Sequence, residues 1–398
     1  MNDEQDFPDG FLWGASTAGH QVEGGNVNAD LWPLEWAEET LFSEPSGDAC
    51  DHYHRYPDDI ATMAELGFNA YRFSLEWARI EPGGGLVQPS RPRSLPADDR
   101  HLPRARHRPG RHLFALHHPV GSPGRAAGRA PTRWRGSAAT PNGLPRISAT
   151  SSGGSRRSTS PTSSPCWSSP ASSRWASVPA ASVTSRIGWA CSARPSTRCR
   201  RSTGRRSTRS GPGRATKVGW TLALVDLQEG ADGHERWTAA RTGAQLDWLE
   251  VSRDDDWVGV QTYTRNVLGA DGPIPADEGS PAMQTDWEVY PEALGHTVRL
   301  AADHAAVPVI VTENGMATDD DEARIDYTRR ALQGLREAIA GGIDVRGYLH
   351  WSLLDNFEWM AGYSKTFGLI AVDLETFERS VKPSARWLGS VAAANRLV

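Results

Sequence analysis

The chain has 398 residues, 38% of them hydrophobic, which is enough for one large barrel core or two ordinary domains. It has no run of 18 apolar residues and begins with the acidic Met1-Asn2-Asp3-Glu4-Gln5-Asp6, so neither a membrane-spanning helix nor a signal peptide is expected, and a cytoplasmic protein is. The net charge of −5 averages two unlike parts: residues 89–216 hold 24 Arg against Asp98 and Asp99, a net +22, while the remainder carries −27.

In chain order, residues 11–15, Phe-Leu-Trp-Gly-Ala, read as a short apolar strand. A helix is predicted over 57–66, with Pro57 in its first turn, Ile60, Met63 and Ala64 on one face, and Gly67 as the stop. Residues 68–74 return as a strand with Arg72 near its end. Residues 89–216 differ in kind: Arg, Ser and Pro make up 64 of 128 positions and no helix or strand period is sustained, so a low-complexity, disordered insert is expected. Its Trp134, Trp167, Trp175 and Trp189 are too sparse for a base-stacking platform, so nucleic acid is not the expected partner.

Alternation then resumes. Val258-Gly259-Val260 is a strand ahead of Tyr263, and a helix covers 293–305. Val307-Pro308-Val309-Ile310-Val311 is a buried strand that runs into Thr312-Glu313-Asn314-Gly315. After the polar loop 318–323 comes a helix with Leu332, Leu335 and Ile339 at helical spacing, stopped by Gly341-Gly342. Residues 347–352 form the next strand. Strands and helices in this alternation imply an α/β protein with a parallel sheet, closed or open. Glu313 then stands at the carboxyl end of a strand, where α/β barrels carry their catalytic groups.

His52 and His54 have no third ligand in the pattern and read as packing or capping groups. Asp319-Asp320-Asp321-Glu322 reads as a solvated loop and helix start, not a calcium site. The cysteines at 50, 166, 191 and 199 show no metal-ligand or disulfide spacing.

Four motifs, in order, resemble glycoside hydrolase family 1, the β-glucosidase family. They are Phe7-Pro8-Asp9-Gly10-Phe11-Leu12-Trp13-Gly14 with Gln21-Val22-Glu23-Gly24, then Tyr71-Arg72-Phe73-Ser74-Leu75-Glu76-Trp77, then Thr312-Glu313-Asn314-Gly315, and finally Trp351-Ser352-Leu353-Leu354-Asp355-Asn356-Phe357-Glu358-Trp359. The resemblance covers 7–88 and 217–396. It implies a single (β/α)8 TIM barrel over 1–398, incomplete or disordered across 89–216, that hydrolyses β-linked glucosides with retention. The partner it implies is a small-molecule β-glycoside; no cofactor, metal or membrane is implied, and nothing in the pattern specifies an oligomer.

By this resemblance Glu313 is the nucleophile, with Arg72 and Tyr263 hydrogen-bonding it. A cation and a phenol suit a carboxylate that must attack. Gln21, Glu358 and Trp359 resemble the contacts to glycone hydroxyls, Trp351 the platform under the sugar, and Phe367 a wall of the same pocket. An indole face supplies apolar contact while amide and carboxylate orient hydroxyls. Two positions depart from the family's pattern: Gln261 stands where Asn is usual, and Thr262 where an aromatic is common.

Retaining glycosidases use two carboxyl groups roughly 5–5.5 Å apart. The family's second one is the Glu of an Asn-Glu-Pro motif, yet no Glu occurs between Glu81 and Glu229, and only His117-His118 fall near the expected His-rich sugar motif. The composition of 89–216 is that of GC-rich codons read out of frame; the chain has three Lys against 40 Arg. Ser158-Thr159-Ser160-Pro161-Thr162 can be written TCA-ACG-AGC-CCA-ACC, which regroups as AAC-GAG-CCC-AAC, or Asn-Glu-Pro-Asn, when the frame moves by one base. Lys217-Val218-Gly219-Trp220 marks the return to a normal frame. A barrel short of about three of its βα units would expose open, aggregation-prone edges. The alternative is a non-catalytic, sugar-binding relic of the same family.

Overall fold

The computed structural model describes residues 7–80, 112–116 and 217–398. Its strands are β1 (Leu12–Ser16), β2 (Ala70–Ser74), β3 (His112–Leu116), β4 (Gly219–Ala223), β5 (Asp226–Glu229), β6 (Trp257–Gln261), β7 (Arg265–Leu268), β8 (Pro273–Ile274), β9 (Val309–Glu313), β10 (Val345–Trp351), β11 (Ile370–Val372) and β12 (Arg379–Val381). Seven of them form one sheet in the order β3-β2-β1-β10-β9-β6-β4. Every pairing in it is parallel.

The seam is informative. The first strand pairs with the last of this sheet, from Leu12↔Gly347 to Ser16↔Trp351. The described strands therefore follow one another in circular order, as in a (β/α)8 barrel, with β3 and β4 at the two edges of the described sheet. Two small sheets decorate it, β5-β7-β8 and the antiparallel hairpin β11-β12.

Sequence explains the central strands. All five residues of β1 are buried, and so are the first four of β9. Parallel strands covered on both faces need apolar runs without alternation. Strand β3 joins the same sheet. It lies inside the segment where no period was found, yet His112-Leu113-Phe114-Ala115-Leu116 pairs in parallel with β2 from Ala70↔His112 to Ser74↔Leu116. A short apolar run such as Leu113-Phe114-Ala115-Leu116 can form a strand without any period, so the expectation of a wholly irregular insert is corrected at these residues. The remaining readings on 89–216, including the Asn-Glu-Pro regrouping and His117-His118, lie outside the described residues.

The helix predicted over 57–66 is also corrected: it runs His52–Glu65, with Pro57 inside it. Proline there forfeits one backbone hydrogen bond. Side chains anchor the earlier turn instead. Arg55 Nε donates to Asp51 Oδ2 at 2.9 Å, and His52 Nδ1 lies 2.7 Å from Asp59 Oδ2. His52 thus packs, as expected; His54 is largely exposed and pairs with the Asp51 side chain, neither packing nor capping the helix. The helix Asp321–Ala340 starts as its acidic run implied: the Asp320 side chain accepts from the backbone of Glu322 and Ala323 at 3.0 and 3.2 Å. Its buried Ala331, Leu332, Leu335 and Ile339 share one core with Leu294, Val298 and Ala301 of the helix Ala293–Ala305.

The C-terminal helix Pro383–Ala394 ends at Asn395, a left-handed residue with φ +52°. Asn395 accepts from Trp13 Nε1 at 2.9 Å and donates to the Phe7 carbonyl at 2.8 Å. This ties the end of the chain to β1 and supports the barrel seam. No helix among the described residues is long and apolar enough to cross a membrane.

Candidate active site

The strand ends converge on Glu313, the last residue of β9. Arg72 Nη1, from β2, donates to Glu313 Oε1. Gln261 Nε2, from the end of β6, donates to the same oxygen. Tyr263, two residues further on, donates its hydroxyl to Glu313 Oε2 at 2.5 Å. Three donors from two other strand ends thus hold both carboxylate oxygens. Burial, and then the charge of Glu313, push the Tyr263 phenol well above its ordinary range, so it stays a donor.

The residues after Glu313 are built to hold it. Asn314 is fully buried; its amide donates to the Thr262 carbonyl at 2.8 Å and accepts from the Tyr348 hydroxyl at 3.0 Å. Gly315 passes so close to the Trp351 carbonyl that a Cβ would lie 1.9 Å from its oxygen. The turn signalled by Asn-Gly is therefore also a packed joint between β9 and β10. Thr262, where an aromatic was expected, is buried and bonds Thr297 Oγ1 at 2.9 Å, away from the carboxylate.

Gln21, Trp351, Glu358, Trp359 and Phe367 gather beside this carboxylate. Gln21 lies in the short helix Gly19–Val22 that follows β1. Its amide nitrogen donates to Phe357 O at 2.9 Å, Asn356 Oδ1 at 3.0 Å and Glu358 Oε2 at 3.3 Å. Trp351 ends β10 and lies beside Glu358. Burial pushes the Glu358 carboxyl up to about 8, and the nearby Glu313 charge adds to the rise. Phe367 is buried against Ala317 and Trp351 and meets Tyr263 edge-on, with centroids 5.9 Å apart. Trp359 stacks on His20.

All eight residues singled out in the sequence therefore meet in one place. Three contributors escaped that selection. Gln261 was noted only as a departure from the family's Asn, yet its longer side chain reaches Glu313. Trp287 packs on Tyr263, with centroids 5.6 Å apart, from a loop without any motif to mark it. His20 precedes Gln21 directly, and that adjacency was its one available signal. Among the described residues no group of three or more His, Cys, Asp or Glu is placed to hold a metal ion.

A carboxylate oriented by Arg, Tyr and Gln at the carboxyl ends of parallel barrel strands, flanked by indoles and by an amide and a carboxyl group suited to sugar hydroxyls, is the equipment of a carbohydrate-active hydrolase. The sequence profile described as Glycosyl hydrolase family 1 matches residues 3–91 and 249–397. Thermostable beta-glucosidase B of Thermobispora bispora is 31% identical over 463 aligned positions, which span 98% of this chain and 91% of that protein. The bifunctional beta-D-glucosidase/beta-D-fucosidase of Bifidobacterium breve is 28% identical, spanning 96% and 97%. A crystal structure of a beta-glycosidase superposes with a TM-score of 0.72 at 34% identity, covering 99% of this chain and 98% of the other. The chain belongs to glycosyl hydrolase family 1.

Proposed function

We propose that the chain is a retaining β-glycosidase of the β-glucosidase type, folded as one barrel domain, with Glu313 as its nucleophile. The observation that carries this reading is the grip of Arg72, Gln261 and Tyr263 on both oxygens of the Glu313 carboxylate. A Glu313 oxygen attacks the anomeric carbon and the bond to the aglycone breaks, its electron pair leaving with the aglycone oxygen. The product is a glycosyl ester on Glu313, which water then hydrolyses. Gln21, Glu358 and Trp359 bind the glycone hydroxyls, Trp351 underlies the ring and Phe367 walls the pocket. The names of the relatives support β-glucosides as the substrate class.

The second carboxyl group governs how far the reaction proceeds. No Glu lies between Glu81 and Glu229, so protonation of a poor leaving group and activation of water are impaired in this chain. Aglycones that leave as stable anions need no proton. They still load Glu313, and added azide releases the sugar without a base.

The test is incubation with 2,4-dinitrophenyl 2-deoxy-2-fluoro-β-D-glucoside. The expected result is a burst of dinitrophenolate equal to the enzyme present and a fluoroglucosyl adduct on the peptide carrying Glu313, both lost in Glu313→Gln. The missing Glu also favours a second reading, the sugar-binding relic. A folded chain that binds glucosides yet never acquires the adduct would establish the relic instead.

A further inference from the structure

His20 is a buried titratable group that the glycosidase reading leaves without a task. Its Nε2 lies 2.5 Å from Glu35 Oε1, and Glu35 is itself only 4% exposed. The other Glu35 oxygen accepts from the Ser46 backbone N–H at 2.9 Å and from the Ser46 hydroxyl at 2.8 Å. Both oxygens are thus engaged, and the imidazole is held in one plane. That plane is parallel to the Trp359 indole, tilted by 4° with centroids 6.1 Å apart, within the range of an offset stack. The Phe357 ring meets the same imidazole from the side at 6.2 Å and 66°.

Trp359 needs such support. Its φ is +50°, a left-handed conformation that bulky side chains rarely adopt and that persists only when the surroundings enforce it. Glu358 before it and Gln21 beside it are bonded to each other. The indole, by contrast, is partly exposed and stacks on His20.

We infer that His20, locked by Glu35, is a positioning residue that clamps the Trp359 indole in the orientation that receives the sugar. Glu35 fixes the imidazole plane, and the imidazole fixes the indole plane. The clamp works through Trp359 and touches neither Glu313 nor the reacting bond. Its sugar-binding consequence rests on the glycosidase reading; the clamp itself does not.

Two measurements test it. In acrylamide quenching, the difference between the wild-type chain and Trp359→Phe isolates the fluorescence of this indole. Repeating that difference in a His20→Ala background should show the indole more accessible, and in a His20→Phe background as shielded as in wild type. Equal shielding in His20→Ala overturns the clamp. In labelling by 2,4-dinitrophenyl 2-deoxy-2-fluoro-β-D-glucoside, His20→Ala should raise the inhibitor constant roughly three- to tenfold, the size of one aromatic stack. The first-order inactivation step should be unchanged. Glu35→Gln should lie between, and His20→Phe should restore most of the affinity. A drop confined to the inactivation step, or no recovery in His20→Phe, overturns the proposal. Failure of the wild-type chain to label counts against the glycosidase reading alone and leaves the quenching measurement to decide the clamp.

Discussion

Arg72 and Glu313 form an ion pair although their strands are not neighbours: β1 and β10 lie between β2 and β9. Only a strongly curved sheet brings those two strand ends within reach. The pair therefore reports barrel curvature and site assembly together. Both side chains are mostly buried, 10% and 14% exposed, so the contact is little screened by solvent.

Hydrogen bonds to a charged group contribute about 1.5–3 kcal/mol. Removing one from Glu313 should slow its attack correspondingly. Arg72→Met and Tyr263→Phe should each slow labelling by the fluoroglucoside about ten- to hundredfold, with a smaller change in the inhibitor constant. Inactivation kinetics at saturating reagent measure this. Rates equal to wild type in both variants would refute the assigned roles.

Gln261 makes a sharper case because its length matters. Its amide reaches Glu313 Oε1 from the end of β6. Gln261→Leu should slow labelling by roughly tenfold. Gln261→Asn, one methylene shorter, should give an intermediate rate as the amide withdraws from Oε1. If Leu, Asn and Gln label alike, this contact has no part in attack.

Glu358 predicts two pH responses of opposite sign. Burial, with the Glu313 charge beside it, pushes its carboxyl up to about 8, far above the ordinary 4.5. The folded state holds this proton more tightly than the unfolded chain, so the contribution to stability is fully present below the unfolded value and is lost as pH rises through about 8. Melting temperature should fall over that window in wild type and less in Glu358→Gln. Affinity for neutral methyl β-D-glucoside should move the other way, rising as the carboxylate becomes available to accept sugar hydroxyls. Calorimetric titration at pH 6 to 9 reads it, and a pH response in Glu358→Gln as steep as in wild type would reject the assignment.

Asp320 caps the helix that follows Glu313. Asp320→Ala removes acceptors for two backbone N–H groups and should lower stability by about 1 kcal/mol, read from the midpoint of denaturant unfolding. Labelling of Glu313 should stay at the wild-type rate, because β9 is held separately by Asn314 and Gly315.

The anomaly at 89–216 yields a genetic prediction. Resequencing the genomic DNA across codons 89–216 should recover an open frame encoding Asn-Glu-Pro. The chain translated from it should then turn over alkyl β-glucosides without azide. An unchanged sequence on resequencing would leave Glu313 without that partner.

The linear sequence alone was sufficient for the strand order in outline, for Glu313 at a strand end, and for the four motifs of the family. These rest on local patterns: apolar runs, turn residues and short strings of chemical groups. It was insufficient where a residue's role depends on distant neighbours. Pro57 looked like a helix start until His52, Asp59 and Asp51 anchored an earlier turn. Residues 112–116 had no period, yet pair with β2, because a short apolar run needs none to form a strand. Gln261 stood only as a departure from the family's Asn until its length carried its amide to Glu313. His20 belongs to no motif; only the fold brings Glu35 and Trp359 to its two sides. The circular order of the strands sets which side chains meet at their carboxyl ends. Those distances depend on curvature and packing, which no local pattern encodes.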